Sequence, residues 1–146
     1  MPRVAKNRLA RGAREQPMEW DFKFVPEHGI LSVKTSGDLS YETMLEFIAA
    51  AAAEMQRHHC DKILVDHRDA VLKLSAMRMY RLPAAEVTHG VNQRRKVAVV
   101  ISPSTVREED ARIYTDLMHK NGLPHRLFGD PDAALDWLVD RASTAP

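Results

Sequence analysis

The chain contains a single cysteine, Cys60, among its 146 residues. Neither an intrachain disulfide nor a cysteine-based zinc site can therefore form, and a lone thiol is typical of a reducing compartment. We accordingly expect a cytoplasmic protein. Cys60 falls near the C-terminal end of a predicted helix, where the helix dipole raises the pKa of a thiol. This position favours a structural role over a nucleophilic one.

Long hydrophobic runs are also missing, although roughly 20 apolar residues are needed to cross a bilayer. The longest apolar stretch, residues 47–53, is rich in alanine and lies between Glu46 and Glu54. This pattern indicates one side of a helix that faces water on the other. The N-terminal segment lacks the apolar core of a secretory signal, so we expect neither export nor a membrane span.

Excess charge of either sign is absent overall, since the net charge is +1, but the charge is unevenly distributed. Residues 1–17 carry five basic side chains and one glutamate, a balance of +4, which leaves −3 for the rest. We predict a flexible basic arm over residues 1–17, a single domain over residues 18–140 and a short tail over residues 141–146. Nucleic-acid binding is not expected, because the domain itself shows no basic stripe or aromatic platform.

Hydrophobic periodicity predicts an α/β fold with the order β-β-α-β-α-β-α-β-α. Strands that alternate with helices imply a small, mostly parallel sheet of about five strands, with an antiparallel edge strand and helices on both faces. Ser40, Ser75 and Asp130 have the character of helix N-caps, and Thr105 begins a sequence with capping-box spacing. The predicted strands are residues 20–25, 30–35, 62–66, 95–101 and 125–128, and the predicted helices are residues 41–58, 75–89 with a kink or break at Pro83, 105–120 and 133–139.

Ligands of open α/β sheets bind where the carboxyl ends of the strands meet the following loops. Three such loops are predicted, at residues 37–40, 66–75 and 102–105. The second begins with Asp66, His67, Arg68 and Asp69, which could form an anion or metal site or an acid/base pair using His67. Alternatively, these are solvated loop residues in which Arg68 pairs with Asp69 at the surface.

Common catalytic and cofactor motifs are absent. The sequence contains no G-x-S-x-G, G-x-G-x-x-G or Walker pattern, so we expect no dinucleotide or other cofactor. His58 and His59 are adjacent and point in different directions on a helix, which argues against a metal site. We expect four further histidines to lie at the surface, namely His28, His89, His119 and His125.

Two segments remain candidates for binding. Residues 77–83 combine two methionines, a tyrosine and two arginines, which could line a groove for an apolar or amphipathic ligand with an anionic head. The alternative is that Met77 and Tyr80, with Leu82 and Val87, form the inner side of the helix. Ser102 and Ser104 precede a predicted helix, whose N-terminus is a generic anion site.

The order of elements resembles the SpoIIAA-like branch of the STAS superfamily over residues 18–140. The residues that carry the resemblance are the strand Asp61–Asp66, the strand Val97–Val100 and the ending Gly129–Leu138. The resemblance implies a β/α superhelix and a protein that is generally not an enzyme but binds partner proteins, nucleotides or small apolar ligands. In anti-sigma-factor antagonists a serine after the third strand is phosphorylated as a switch. Here no hydroxyl follows Asp66 until Ser75, so the switch is not carried over.

We therefore expect a non-catalytic regulatory or binding module that recognises a protein partner or a small apolar, lipid-like ligand. The alternative is a small enzyme that uses Asp66 and His67 with Ser75 or Ser102. The edge strand at residues 20–25 also offers a route to a homodimer. The candidate binding residues are Asp66, His67, Arg68, Ser75, Met79, Tyr80, Ser102 and Ser104.

Overall fold

The computed structural model describes residues 16–90, 94–104 and 106–139. Most of the predicted basic arm, the predicted tail and Thr105 lie outside the described residues. The elements are, in chain order, β1 (Glu19–Val25), β2 (Ile30–Leu39), α1 (Tyr41–His58), β3 (Lys62–Leu72), α2 (Ala76–Met79), α3 (Leu82–Thr88), β4 (Lys96–Val100), α4 (Glu108–Lys120), β5 (His125–Phe128) and α5 (Pro131–Leu138).

The five strands form one mixed sheet in the order β1-β2-β3-β4-β5. β1 runs antiparallel to β2, and the remaining neighbours are parallel. A short turn joins β1 to β2, whereas helices lie between the parallel strands, since parallel neighbours need a long crossover connection. The predicted α/β class with one antiparallel edge strand is confirmed.

The sheet carries helices on both faces because the central strands are apolar on both sides. On one face, α1, α3 and α4 cover a core that includes Val33, Val65 and Val99. On the other face, α5 packs against Ile30 and Val100. We call these the multi-helix face and the α5 face.

Capping residues define the starts of α1 and α5, where they were predicted, and a glycine follows the end of α4. The Ser40 hydroxyl accepts a hydrogen bond from the Thr43 amide at 3.2 Å, which completes a capping box at the start of α1. Asp130 caps α5, and Pro131 occupies its first turn. Gly122 follows α4 with a φ of 74°, the left-handed conformation that ends many helices.

Two of the predicted loops are largely strand. β2 continues to Leu39 and β3 to Leu72, and the two remain paired over this whole extension. β4 ends at Val100, which lies opposite Asp66. Beyond that point, as far as Leu72, β3 pairs with β2 among the described residues. The loops predicted at residues 37–40 and 66–75 were therefore wrong over residues 37–39 and 66–72, because one paired neighbour suffices to hold a polar sequence in extended form. Residues 40 and 73–75 lie outside the strands.

The predicted helix over residues 75–89 is two short helices. Ser75 caps α2 as predicted, the chain bends at Tyr80 and Arg81, and Pro83 lies in the first turn of α3 rather than at a kink. Similarly, α4 begins at Glu108 instead of residue 105, and Arg107 precedes it without a side-chain cap.

The inner side of α2 and α3 also differs from the prediction. Met77, Tyr80 and Val87 are 74%, 64% and 55% exposed, whereas Met79 is 2% exposed. The prediction assumed one uninterrupted helix and placed Met77, Tyr80 and Val87 on its inner side. The bend between the two short helices changes which side chains face the sheet, so this prediction was wrong for these three residues. Leu82 is buried as predicted.

Candidate functional site

His67 is a buried polar residue on the multi-helix face of the sheet. Its side chain is buried, and its Nδ1 lies 2.7 Å from the Thr35 hydroxyl on β2. Burial lowers the pKa of His67 to about 4, against the opposing attraction of the Asp66 carboxylate. The ring is therefore neutral at pH 7. With Nδ1 bonded to Thr35, Nε2 is the remaining polar atom of the ring.

Two small interior cavities meet at His67. The first has a volume of about 60 Å³ and lies beneath Leu39, Met79 and Leu82. The second has a volume of about 50 Å³ and lies between α1 and the sheet. Their common lining is Met44, His67, Val99 and Tyr114. We call the two together the interior cavity; each part exceeds the roughly 10–15 Å³ that one water needs.

The walls of the interior cavity are largely apolar, and its charged groups lie at the margins. Glu86 of α3 and Arg95, which precedes β4, line the second part, and Asp110 of α4 lines the first. Burial and the Glu86 carboxylate raise the pKa of the Tyr114 hydroxyl, so it stays protonated. A neutral histidine and a protonated phenol thus share a mostly apolar space.

His125 lies beside this margin and is 1% exposed, so the expectation of a surface position was wrong. Its pairing with Val97 places it on the multi-helix face. Its Nε2 lies 3.5 Å from a Glu86 carboxylate oxygen, and the Tyr114 ring contacts it edge-on. Among the described residues, neither ring nitrogen of His125 nor Nη1 of Arg95 has a hydrogen-bond partner.

Sequence reasoning missed Glu86, Tyr114 and His125 as members of this polar cluster. They lie on three elements, α3, α4 and β5, that are far apart along the chain. No local motif connects them. The one available signal was that a histidine in a strand beside a buried strand can point inward.

Asp66 and Arg68 lie away from the interior cavity. Asp66 pairs with Val100 in the sheet, on the α5 face. Arg68 donates from Nε and Nη2 to the Asp66 carboxylate at 2.9 and 2.8 Å. Burial raises the pKa of Asp66, but the hydrogen bonds from Arg68 outweigh it and leave the pKa below its usual value. Arg68 therefore pairs with Asp66 on its own strand and makes no hydrogen bond to Asp69 in the described structure.

The remaining candidate residues are separate from His67. Ser75 accepts a hydrogen bond from the Arg78 amide as the α2 cap. The Ser102 and Ser104 hydroxyls lie 2.9 Å apart in the turn after β4. Tyr80 lies over a surface hollow beside α4. Of the eight candidate residues, His67 and Met79 line the interior cavity. The enzyme alternative requires Asp66 and His67 with Ser75 or Ser102, but each of these side chains contacts a different residue.

Three large apolar side chains are exposed along the α2–α3 segment, namely Met77, Tyr80 and Val87, and we call them the α2–α3 patch. Arg78 and Arg81 lie in the same segment and are exposed. Arg78 forms an ion pair with Glu42 at 2.9 Å and lies over the Tyr41 ring. Several large apolar side chains exposed on one short segment are a feature of many interaction sites.

Within the described ranges, no three histidine, cysteine, aspartate or glutamate side chains are grouped so that they could hold a metal ion. None of the described helices has the length and apolar character needed to cross a membrane.

Comparison with solved structures identifies the fold. An anti-sigma factor antagonist from Mycobacterium paratuberculosis superposes with a TM-score of 0.56 at 15% identity, covering 83% of this chain and 93% of that one. An uncharacterized protein of the DUF3478 family from Shewanella loihica, with a SpoIIAA-like fold, gives a TM-score of 0.56 at 19% identity, with 87% and 98% coverage. No protein-family model and no curated protein matches the sequence. The chain has a SpoIIAA-like fold.

Proposed function

We propose that this protein is a non-catalytic regulatory module that binds a partner protein through the α2–α3 patch. The observation that carries the proposal is the exposure of Met77, Tyr80 and Val87 on two short neighbouring helices. Anchors of this kind gain most of their binding energy when a partner removes them from water. The fold that the chain shares with an anti-sigma factor antagonist supports a protein-binding role.

The non-catalytic part of the proposal is supported by the partners of the polar residues. Arg68 occupies the Asp66 carboxylate, Thr35 bonds to His67 inside the protein, and Ser75 caps a helix. A nucleophile and its base must approach within hydrogen-bond distance of each other. These side chains instead serve separate structural contacts.

The partner surface that fits the α2–α3 patch is apolar at its centre and acidic at its rim. Arg81 is exposed and directly follows Tyr80 in the sequence, whereas the Arg78 guanidinium already pairs with Glu42. Charge complementarity at the rim would steer association, while the apolar centre supplies affinity. We place this interaction in the cytoplasm, where the lone thiol of Cys60 stays reduced.

Site-specific photocrosslinking in cells tests the proposal. A photoreactive side chain at position 80 should capture one partner, whereas the same group at Val71, which is 40% exposed on β3, should not. With the purified partner, Tyr80→Ser should weaken binding about 30-fold, the loss typical of a hot-spot residue. The matched control Val71→Ser should change the affinity less than twofold. Equal capture from both positions, or unaltered affinity of Tyr80→Ser, would contradict the proposal.

A second candidate function is the binding of a small apolar ligand in the interior cavity. The specific observation that favours it is the apolar lining around Met79, Leu82 and Val99. Pockets with such walls and a few convergent polar groups commonly hold small molecules. The volume of the cavity excludes a long-chain lipid unless α2 and α3 move outward.

A further inference from the structure

We infer that the interior cavity binds a small, uncharged molecule carrying one hydroxyl or carbonyl group, which hydrogen-bonds to Nε2 of His67. This inference rests on the second candidate function and specifies its ligand class. His67 lies where the two parts of the cavity meet, so it can contact a ligand in either part.

The hydrogen-bonding requirement comes from His67. Thr35 engages Nδ1, and Nε2 makes no hydrogen bond to any described residue. A ligand oxygen beside Nε2 would supply the hydrogen bond that the described residues do not provide. The neutral ring offers either an N–H donor or a lone pair there, depending on which nitrogen carries the proton. A hydroxyl group suits both tautomers, and a carbonyl suits one.

The requirement for an uncharged ligand comes from the groups around the cavity. Glu86 and Arg95 carry opposite charges at the margin of the second part, and Asp110 adds a carboxylate to the first. A ligand carboxylate would lie near two protein carboxylates, those of Glu86 and Asp110, and near one guanidinium, that of Arg95. Transfer of an unpaired charge into such an apolar space is strongly unfavourable. The apolar walls and the neutral ring of His67 therefore favour a molecule without charge.

The size of the ligand follows from the cavity volumes. The two parts, about 60 and 50 Å³, are each smaller than the roughly 150 Å³ of an engineered cavity that holds benzene. Even together they are smaller than that cavity, so a single aromatic ring must occupy space on both sides of His67 and also requires a lining side chain to move. Met44 lies at the junction, and a methionine side chain readily changes rotamer to admit such a ring. One ring or a short branched chain is the upper limit without movement of a helix.

Titration of the full chain with phenol, toluene and benzoate, followed by NMR, tests this inference. Phenol and toluene share a ring, but only phenol can hydrogen-bond to His67. We expect phenol to bind about two- to tenfold more tightly than toluene, the range that one net hydrogen bond provides. Phenol, and not toluene, should shift the ¹⁵N resonance of Nε2. Benzoate should not bind detectably.

Substitutions of histidine provide the matched comparison. His67→Leu should reduce phenol binding to the level of toluene, whereas His28→Leu, in the exposed turn after β1, should leave both affinities unchanged. If His67→Leu does not fold, the ¹⁵N shift of Nε2 in the wild-type chain on addition of phenol, compared with toluene, tests the hydrogen bond instead.

Each contrary result has a distinct meaning. Equal binding of phenol and toluene would overturn the hydrogen-bonding inference but leave an apolar ligand site standing. Preferential binding of benzoate would overturn the uncharged ligand class and assign the site to Arg95. Binding of none of the three would overturn both this inference and the second candidate function.

Discussion

The Nδ1 atom of His67 lies 2.7 Å from the hydroxyl oxygen of Thr35, and both residues are buried. Thr35 falls where the pairing of β2 with β3 changes register, between Lys34 and Ser36. The same hydroxyl lies 3.3 Å from the backbone oxygen of Asp66. This contact fixes the histidine ring at an irregular part of the sheet and orients Nε2 as its free edge.

Thr35→Val removes the hydroxyl and keeps the shape of the side chain. Because it leaves a buried ring nitrogen without its partner, we expect a loss of about 1–3 kcal/mol in the free energy of unfolding, measured with urea. Thr115→Val is the control, since that hydroxyl bonds to a carbonyl one turn back in α4 and contributes little. Equal losses in the two variants would show that the contact between Thr35 and His67 has no special role.

Acid should destabilise the protein through His67. Its pKa is about 4 in the folded chain and 6.5 for the free side chain, so the unfolded chain binds the proton first as the pH falls. The free energy of unfolding should therefore be unaffected by this group above pH 6.5 and should fall by roughly 3 kcal/mol between pH 6.5 and pH 4.

Urea unfolding of the wild type and of His67→Gln across this pH range isolates the effect, because glutamine does not titrate. The difference between the two chains should shrink or change sign toward pH 4, while carboxylates contribute equally to both. A difference independent of pH would mean that the ring protonates in the folded chain as readily as in the unfolded one.

The sequence allowed the order of elements and the pairing classes to be predicted, because strand and helix periods are local. The end of β3 could not be predicted. Residues 66–69 combine four polar side chains and resemble a loop, yet β2 holds them extended as far as Leu72. The decisive interaction is pairing with a distant strand, which no local pattern reveals.

The interior position of the candidate site was only partly predictable for the same reason. His67 and Met79 were identified as candidates, but not their convergence at one cavity, which depends on the bend between α2 and α3. Glu86, Tyr114 and His125 come together only through packing. Side chains that meet between distant elements require the tertiary structure.

Gly37 should be intolerant of a side chain. Its φ is 86°, and a Cβ atom there would overlap the backbone carbonyl of Pro17. Gly37→Ala should therefore cost more than the roughly 1–2 kcal/mol of left-handed strain alone. Gly29→Ala is the matched control, because Gly29 has a φ of 63° with no atom within 4 Å of the added Cβ. Thermal unfolding of both variants separates steric overlap from backbone strain, and a similar loss in the two would contradict the overlap.

Truncation of Met79 should lower the free energy of unfolding much more than truncation of Met77, two positions earlier in the chain. Met79 is 2% exposed and closes the interior cavity, whereas Met77 is 74% exposed. Met79→Ala should lower the free energy of unfolding by about 2–5 kcal/mol, since it removes buried apolar contacts and enlarges the cavity.

Met77→Ala should change the free energy of unfolding by no more than about 0.5 kcal/mol, as is usual at exposed positions. Urea denaturation measures both values, and equal m-values would show that the change lies in stability alone. The enlarged cavity of Met79→Ala should also bind toluene more tightly than the wild type does, because removal of the methionine side chain leaves room for the ring. A large loss in the free energy of unfolding for Met77→Ala and a small one for Met79→Ala would mean that the opposite side of α2 faces the sheet. Met77 would then be buried, and the α2–α3 patch would not be exposed at that position.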